Sequence, residues 1–265
     1  MREARYTEYK THIKSLLLLG IPIIIGQLGN IVTGLADTVM VGQHSTEELA
    51  AASFVNNVIN AFIILGTGFS LNYTPIIGEH IAINKRIAIG GWLKNSLVAN
   101  LSTTAIIIML LLGIYTNVEL LGQPKELLPL IKPYYLVLMC SVLFVMLSNT
   151  FRQFVEGIMD ASISMWILTI GNALNIAGNY VLIYGKLGCP ELGLLGAGIS
   201  TLFSRMIMLS LFIAVFIKQK KYEPFRKGFL AIPVRKAYWK RLNKIGWPIA
   251  FQQGIERQLS VSQLS

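Results

Sequence analysis

Residues 15–42 read SLLLLGIPIIIGQLGNIVTGLADTVMVG, and within them Asp37 is the sole formally charged side chain between Lys14 and Glu47. A helix crosses the hydrocarbon layer of a bilayer with about 20 mostly apolar residues, so this run is long enough to span. A charged side chain at mid-membrane costs about 2.5 to 3.5 kcal/mol on insertion scales, and such groups face a bundle interior or a watery path rather than lipid. The stretch therefore predicts both a membrane fold and an ion or proton path through it.

The rest of the chain agrees with that start. Of 265 residues, 54% are hydrophobic and 14% charged, with a mean hydropathy of +0.59; soluble domains carry roughly a quarter charged residues. Six segments are apolar enough to span, at about 15–41, 49–78, 95–118, 133–151, 161–185 and 192–217, and a seventh begins near Ile245 but is too short. The expected fold class is an all-α integral membrane protein, a six-helix transmembrane bundle with the start of a seventh helix. The first run is too long for a signal-peptide core and is followed by further spans, so it reads as a retained helix.

The net charge of +10 is explained by orientation. Eighteen of the 23 lysines and arginines fall before the first span, between the second and third, after the fourth, or between the sixth and seventh, whereas Lys125, Lys132 and Lys186 lie on the other side. The positive-inside rule then puts the N-terminus in the cytoplasm and the protein in the cytoplasmic membrane. Residues 218–244 hold ten of these charges beside Tyr222, Phe225, Phe229, Tyr238 and Trp239. That interleaving reads as an interfacial segment touching anionic lipid headgroups, not as a nucleic-acid surface. Cys140 in a span and Cys189 in an outer loop differ too much in depth to form a disulfide framework.

Polar residues recur on one face of several spans. Gln27, Asn30, Gly34 and Asp37 are spaced i, i+3, i+7, i+10, which keeps them within one helical face. The second span repeats the pattern with Ser53, Asn56, Asn60, Thr67 and Thr74, and the fifth with Asn172, Asn175 and Asn179. Small and polar stripes also mark simple helix–helix seams, but a seam does not require an ionisable group at depth. A desolvated carboxyl is able to exchange a proton, or to hold Na⁺ when ionised, and the amide oxygens of Asn175 and Asn179 add cation ligands without competing charge. Asp37, Asn175 and Asn179 are thus the candidate coupling site, with no metal beyond Na⁺ at Asp37 and no cofactor. Gln27, Asn30, Asn172 and Thr201 are candidate cavity-lining residues, and Tyr134, Tyr135 and Phe154 are aromatics to be placed either in the cavity or in the core. Pro22 removes a backbone donor in the first span and tends to bend it. Arg205, near the middle of the sixth span, must face protein or water. His12, His44 and His80 fall in flanking segments and the spans hold no acidic pair or metal-ligand spacing, which argues against an enzyme.

The stretch GIPIIIGQLGNIVTGLADTVMVG with the following LAAAS, together with LNIAGNYVLIYGKLGCPELGLLGAGIST, resembles the multidrug and toxic compound extrusion (MATE) family. The likeness covers nearly all of residues 10–256. It implies one six-helix lobe of a twelve-helix antiporter that exports drugs or other organic cations in exchange for Na⁺ or H⁺. By motif position it implies that Asp37 is the acidic residue of the N-lobe, that Asn175 and Asn179 are the polar pair on its fifth helix, and that Glu256 is the acidic residue of the seventh helix and a further cavity-lining candidate. Some members carry Asp where Asn179 stands, leaving Asp37 as the lone carboxylate of the cluster here. The expected organisation is an N-lobe over 1–217, a cytoplasmic basic inter-lobe loop over 218–244 and a truncated C-lobe start over 245–265, because the chain reads RQLSVSQLS after Glu256. A homo-oligomer or a separate C-lobe is then the expected partner, and a non-transporting fragment is the alternative to an active exporter.

Overall fold

The computed structural model describes the backbone of residues 2–262 and the side chains of residue 17 and residues 19–256. The charges at Arg2, Arg5, Lys10, Lys14 and Arg257, the ring of His12 and the RQLSVSQLS tail lie outside the described side chains. Among the described residues the secondary structure is helical, with no strand. The helices are α1 (Arg2–His44), α2 (Thr46–Ser70), α3 (Tyr73–Ala82), α4 (Arg86–Thr116), α5 (Leu128–Gly157), α6 (Ala161–Ile183), α7 (Gly193–Lys218), α8 (Glu223–Ala231) and α9 (Lys236–Ser262). Six spans are long and apolar enough to cross a membrane: Leu19–His44, Thr46–Ala82, Arg86–Thr116, Lys125–Gly157, Ala161–Ile183 and Gly193–Lys218. The second combines α2 and α3 across a one-turn break at Leu71 and Asn72.

Local sequence sets the ends of these helices. Ser45 caps α2 by accepting hydrogen bonds from the backbone N–H groups of Glu47 (3.2 Å) and Glu48 (3.5 Å), and the two glutamates occupy the first turn, where the helix dipole favours negative charge. Pro22 lies well inside α1, far from its N-terminal turn.

α1 packs on α6, α6 on α7, α7 on α5, and α5 on both α2 and α4. Two apolar clusters fill this bundle. One is centred on Phe154, whose ring meets those of Phe216, Tyr222 and Phe225 edge to face, and the other on Ile59, Tyr135, Val142 and Ile183. Outside, large apolar side chains such as Ile24, Leu35, Met109 and Phe203 are exposed. A membrane bundle is expected to show this, since lipid tails are as apolar as the side chains and backbone groups are satisfied within each helix.

The basic segment 218–244 differs from the expected loop. Its middle is the helix α8, and its last nine residues open α9. The aromatics responsible are buried: Tyr222 donates a 2.5 Å hydrogen bond to Asp160 Oδ2, and Phe225 inserts beside Phe154. Lys221 also pairs with Asp160. Burial raises the Tyr222 hydroxyl well above the usual phenol range, and the Asp160 carboxylate adds to the shift. α9 likewise continues beyond the apolar stretch at 245–255, packing along α2, although it is not among the six spans.

Candidate functional site

A cavity of about 790 Å³ opens between α1, α2, α5, α6 and α7. Its α1 wall carries Gln27, Asn30, Gly34 and Asp37, the α2 wall Ser53, Asn56 and Asn60, and the α6 wall Asn172 and Asn175. The helical spacing of these residues explains the convergence, because each stripe occupies the face of its helix that turns away from lipid. Thr201 from α7 completes this side. Glu256 is placed elsewhere: it is exposed on α9, where it accepts a 2.8 Å hydrogen bond from Gln252 Nε2. Thr67 and Thr74, read as continuing the α2 stripe, instead bind α5, accepting from Asn149 Nδ2 at 3.1 Å and donating to Gln153 Oε1 at 2.8 Å respectively.

α1 and α6 are joined by two polar contacts. Asn172 Nδ2 donates to Asn30 Oδ1 at 3.1 Å, and Asn179 Nδ2 donates to Asp37 Oδ1 at 2.5 Å. Close approach of the helices requires a small residue between them, and Gly29 supplies it: a Cβ there would stand 2.9 Å from Asn172 Nδ2. Asn179 is fully buried behind Asp37, and Asn175 is nearly so. Asn175 Nδ2 donates to Thr201 Oγ1 at 3.1 Å. The side-chain oxygens of both asparagines, Asn175 Oδ1 and Asn179 Oδ1, are buried without a hydrogen-bond partner among the described residues. Buried polar atoms are nearly always satisfied, so two orphaned amide oxygens in one helix face are unusual. Chemically they are acceptors awaiting a donor or a cation.

The α5 and α7 sides of the cavity hold groups that the stripes did not reveal. Ser148, Asn149 and Arg152 of α5, and Ser204 and Arg205 of α7, line the same cavity. The fourth span was expected to end at 151, making Arg152 a flanking charge, but α5 continues to Gly157. Arg152 is therefore drawn into the bundle, where its Nε donates to Glu156 Oε1 at 2.6 Å; Ser164 Oγ donates to the same oxygen at 2.9 Å. Arg205 Nη1 donates to Ser141 Oγ at 2.5 Å, and its charge is within Coulombic range of Asp37 and Tyr134. Of the three aromatics, Tyr134 lines the cavity and donates to Asn56 Oδ1 at 3.3 Å. Tyr135 donates to the Leu111 carbonyl in the core, and Phe154 belongs to the aromatic cluster. The spacing of Ser148, Asn149 and Arg152 was the available signal on α5; it was masked by the assumed end of the span.

Six apolar spans around a polar cavity with one carboxylate and two guanidinium groups define a multi-pass membrane protein of transporter type. The family model MatE matches residues 22–181. The chain belongs to this family, which is one of transporters and not of enzymes. It is 31% identical over 226 residues to a probable multidrug resistance protein NorM of Photorhabdus laumondii, covering 85% of this chain and 50% of the relative. It is 30% identical over 253 residues to the multidrug resistance protein MdtK of Edwardsiella ictaluri, covering 92% and 53%. Among solved structures, an outward-facing multidrug resistance MATE family transporter of the MOP superfamily aligns with a TM-score of 0.80 at 24% identity, over 91% of this chain and 52% of that one. That likeness shows the fold. The chain spans about half the length of the curated relatives it matches, which corresponds to one MATE lobe.

Proposed function

We propose that this chain forms the ion-coupling lobe of an antiporter that exports small drug-like molecules across the cytoplasmic membrane, its N-terminus on the cytoplasmic side, in exchange for Na⁺ or H⁺. One observation carries the reading: Asp37 accepts a hydrogen bond from Asn179 while the neighbouring amide oxygens of Asn175 and Asn179 are buried and unpartnered. A hard cation takes oxygen ligands, and a carboxylate beside two neutral amide oxygens offers them with a single negative charge. The same carboxyl is able to carry a proton instead. The energy suffices, since one charge moved across 100 mV is worth about 2.3 kcal/mol. Rocking of paired lobes is how inverted-repeat transporters alternate access, so a second lobe or a second copy is the partner this reading calls for. The lobe organisation proposed from sequence is kept, with the basic inter-lobe segment now containing α8.

Melting of the purified chain in Na⁺ against equal choline tests the ion site. Binding at a hundredfold excess over Kd stabilises by about 2.7 kcal/mol, and Asp37→Asn is expected to remove the Na⁺ increment. If Na⁺ has no effect on the wild type but a pH jump drives dye exchange that Asp37→Asn abolishes, the ion is H⁺. Unchanged Na⁺ and H⁺ responses in Asp37→Asn would overturn the assignment.

A further inference from the structure

At the end of the bundle away from the basic segment, a histidine joins two helix corners. His44 closes α1; its Nδ1 lies 2.8 Å from Oε2 of Glu48 in the first turn of α2, and its Nε2 lies 2.9 Å from Oε1 of Glu191 in the turn between α6 and α7, residues 184–192. An ionised carboxylate only accepts hydrogen bonds, and a neutral imidazole has a single N–H to give. The doubly protonated ring alone makes both contacts at once; the neutral ring would turn a lone pair toward one of the carboxylates. The two oxygens sit at opposite ring nitrogens, so they do not converge on one point as metal ligands would, and no cluster among the described residues suits a metal ion. The surroundings hold the carboxylates in place without hiding the ring from water. Glu48 is 12% exposed and lies beneath the start of α7, where a Cβ at Gly193 (φ 53°) would collide with its carboxylate. Glu191 is 65% exposed, which leaves a path for proton exchange. Among the described residues no lysine or arginine pairs with either carboxylate. From α6 the ring of Tyr184 stands 6.2 Å from that of His44, centroid to centroid, but its hydroxyl is donated to the Met40 carbonyl at 2.9 Å.

We propose that His44 is a proton-controlled latch that fastens the α6–α7 turn to the α1–α2 corner, closed while the ring is an imidazolium and open once it gives its proton to water. With that proton gone the ring keeps at most one of its two hydrogen bonds, and Glu48 and Glu191 lose the cation between them. Glu48 is packed in place, whereas Glu191 has water to turn to, so the turn is the part that moves. The Tyr184 bond to Met40 does not involve the ring and confines the release to the residues beyond Tyr184. The same two helices, α1 and α6, carry the contact between Asp37 and Asn179. His44 follows Asp37 by seven residues on α1, a rise of about 10 Å, so the latch ties the helix ends beyond that contact. In the orientation proposed above this corner faces the outside, where pH changes independently of the cytoplasm. The latch itself needs neither that orientation nor the ion assignment.

Hydrogen exchange of the turn tests the latch. The backbone N–H groups of Lys186, Cys189 and Leu192 are bonded to the carbonyls of Val181, Lys186 and Leu182, and their protection reports local opening. In the 265-residue chain in nanodiscs, protection corrected for the intrinsic pH dependence of exchange is expected to fall roughly tenfold between about pH 6 and about pH 9.5. That is the scale of one charge-assisted hydrogen bond, over an interval in which imidazole titrates and carboxylates do not. The ¹⁵N signals of the His44 ring are expected to lose the second proton over the same interval, while amides in the middle of α5 stay unchanged. His44→Gln is expected to show the low protection at both pH values, and His44→Arg, which keeps a charge and a fork of donors, the high protection at both. Turn protection that does not change with pH in the wild type overturns the latch without any variant, and so does a ring that carries one proton at about pH 6. An undiminished pH step in a folded His44→Gln overturns it as well, because the step then belongs to another group.

Discussion

Gly90→Val is expected to destabilise the chain by about 3 kcal/mol, the upper end for overpacking, and to release α8 from α4. A Cβ at Gly90 would stand 1.8 Å from the Phe225 carbonyl oxygen, and one at Gly228 would stand 1.8 Å from the Ile87 carbonyl oxygen. The two helices thus cross backbone to backbone, with each glycine facing the other helix's peptide chain. Clashing side chains relieve strain by changing rotamer, but backbone atoms do not, so the helices must separate. α8 has nine residues, too few to persist as an isolated helix in water. Its order comes from this contact, from buried Phe225 and from Asn95, whose Oδ1 accepts from Arg235 N–H at 2.9 Å just beyond α8. Gly228→Val should behave the same way. Gly113→Ala on α4, where a Cβ meets nothing within 4 Å, is the control and should melt like the wild type or slightly above it. Limited proteolysis at Arg226 and Lys227 reports release directly. A Gly90→Val chain as stable and as protease-resistant as the control would show that the α4–α8 contact is not needed for order.

Arg152→Met should cost about 3 kcal/mol, because it leaves a buried carboxylate without its cation. Arg152 and Glu156 are 12% and 13% exposed, and after the change Glu156 retains Ser164 as its hydrogen-bond partner among the described residues. Removing both charges is a different matter. Replacing a buried pair by neutral groups is often close to neutral in stability, so Arg152→Met with Glu156→Gln is expected to recover most of the loss. Thermal melting of the four chains in one detergent gives the coupling energy as a double-mutant cycle. Additive effects would mean that the pair is solvated and contributes little. A strongly non-additive result would establish that α5 carries a desolvated ion pair at the edge of the cavity.

Much of the fold was legible in the sequence because a bilayer imposes simple rules. Length and apolarity alone mark a span, and all six appear at the expected places, though α3, α5 and α4 lengthen their spans at the ends. The stripes of α1, α2 and α6 were legible for the same reason: helical periodicity puts Gln27, Asn30 and Asp37 on one side whatever the helix packs against. Legibility ended where a residue's role depends on a neighbour distant in sequence. Arg152 reads as a flanking charge until Glu156 and Ser164 draw it inside, and the segment 218–231 reads as a loop until α4 offers Gly90 as a docking point.

What the sequence by itself determined is a six-span membrane bundle with a carboxylate at depth on its first helix, since hydrophobic length, periodicity and the cost of a buried charge are properties of each segment taken alone. What only the tertiary structure decided is the company that carboxylate keeps: the short contact to Asn179, the two amide oxygens unpartnered among the described residues, and the guanidinium of Arg205, held by Ser141 in the same cavity. Those depend on distances between helices more than sixty residues apart in the chain, and a local pattern carries no information about which faces of remote helices will meet.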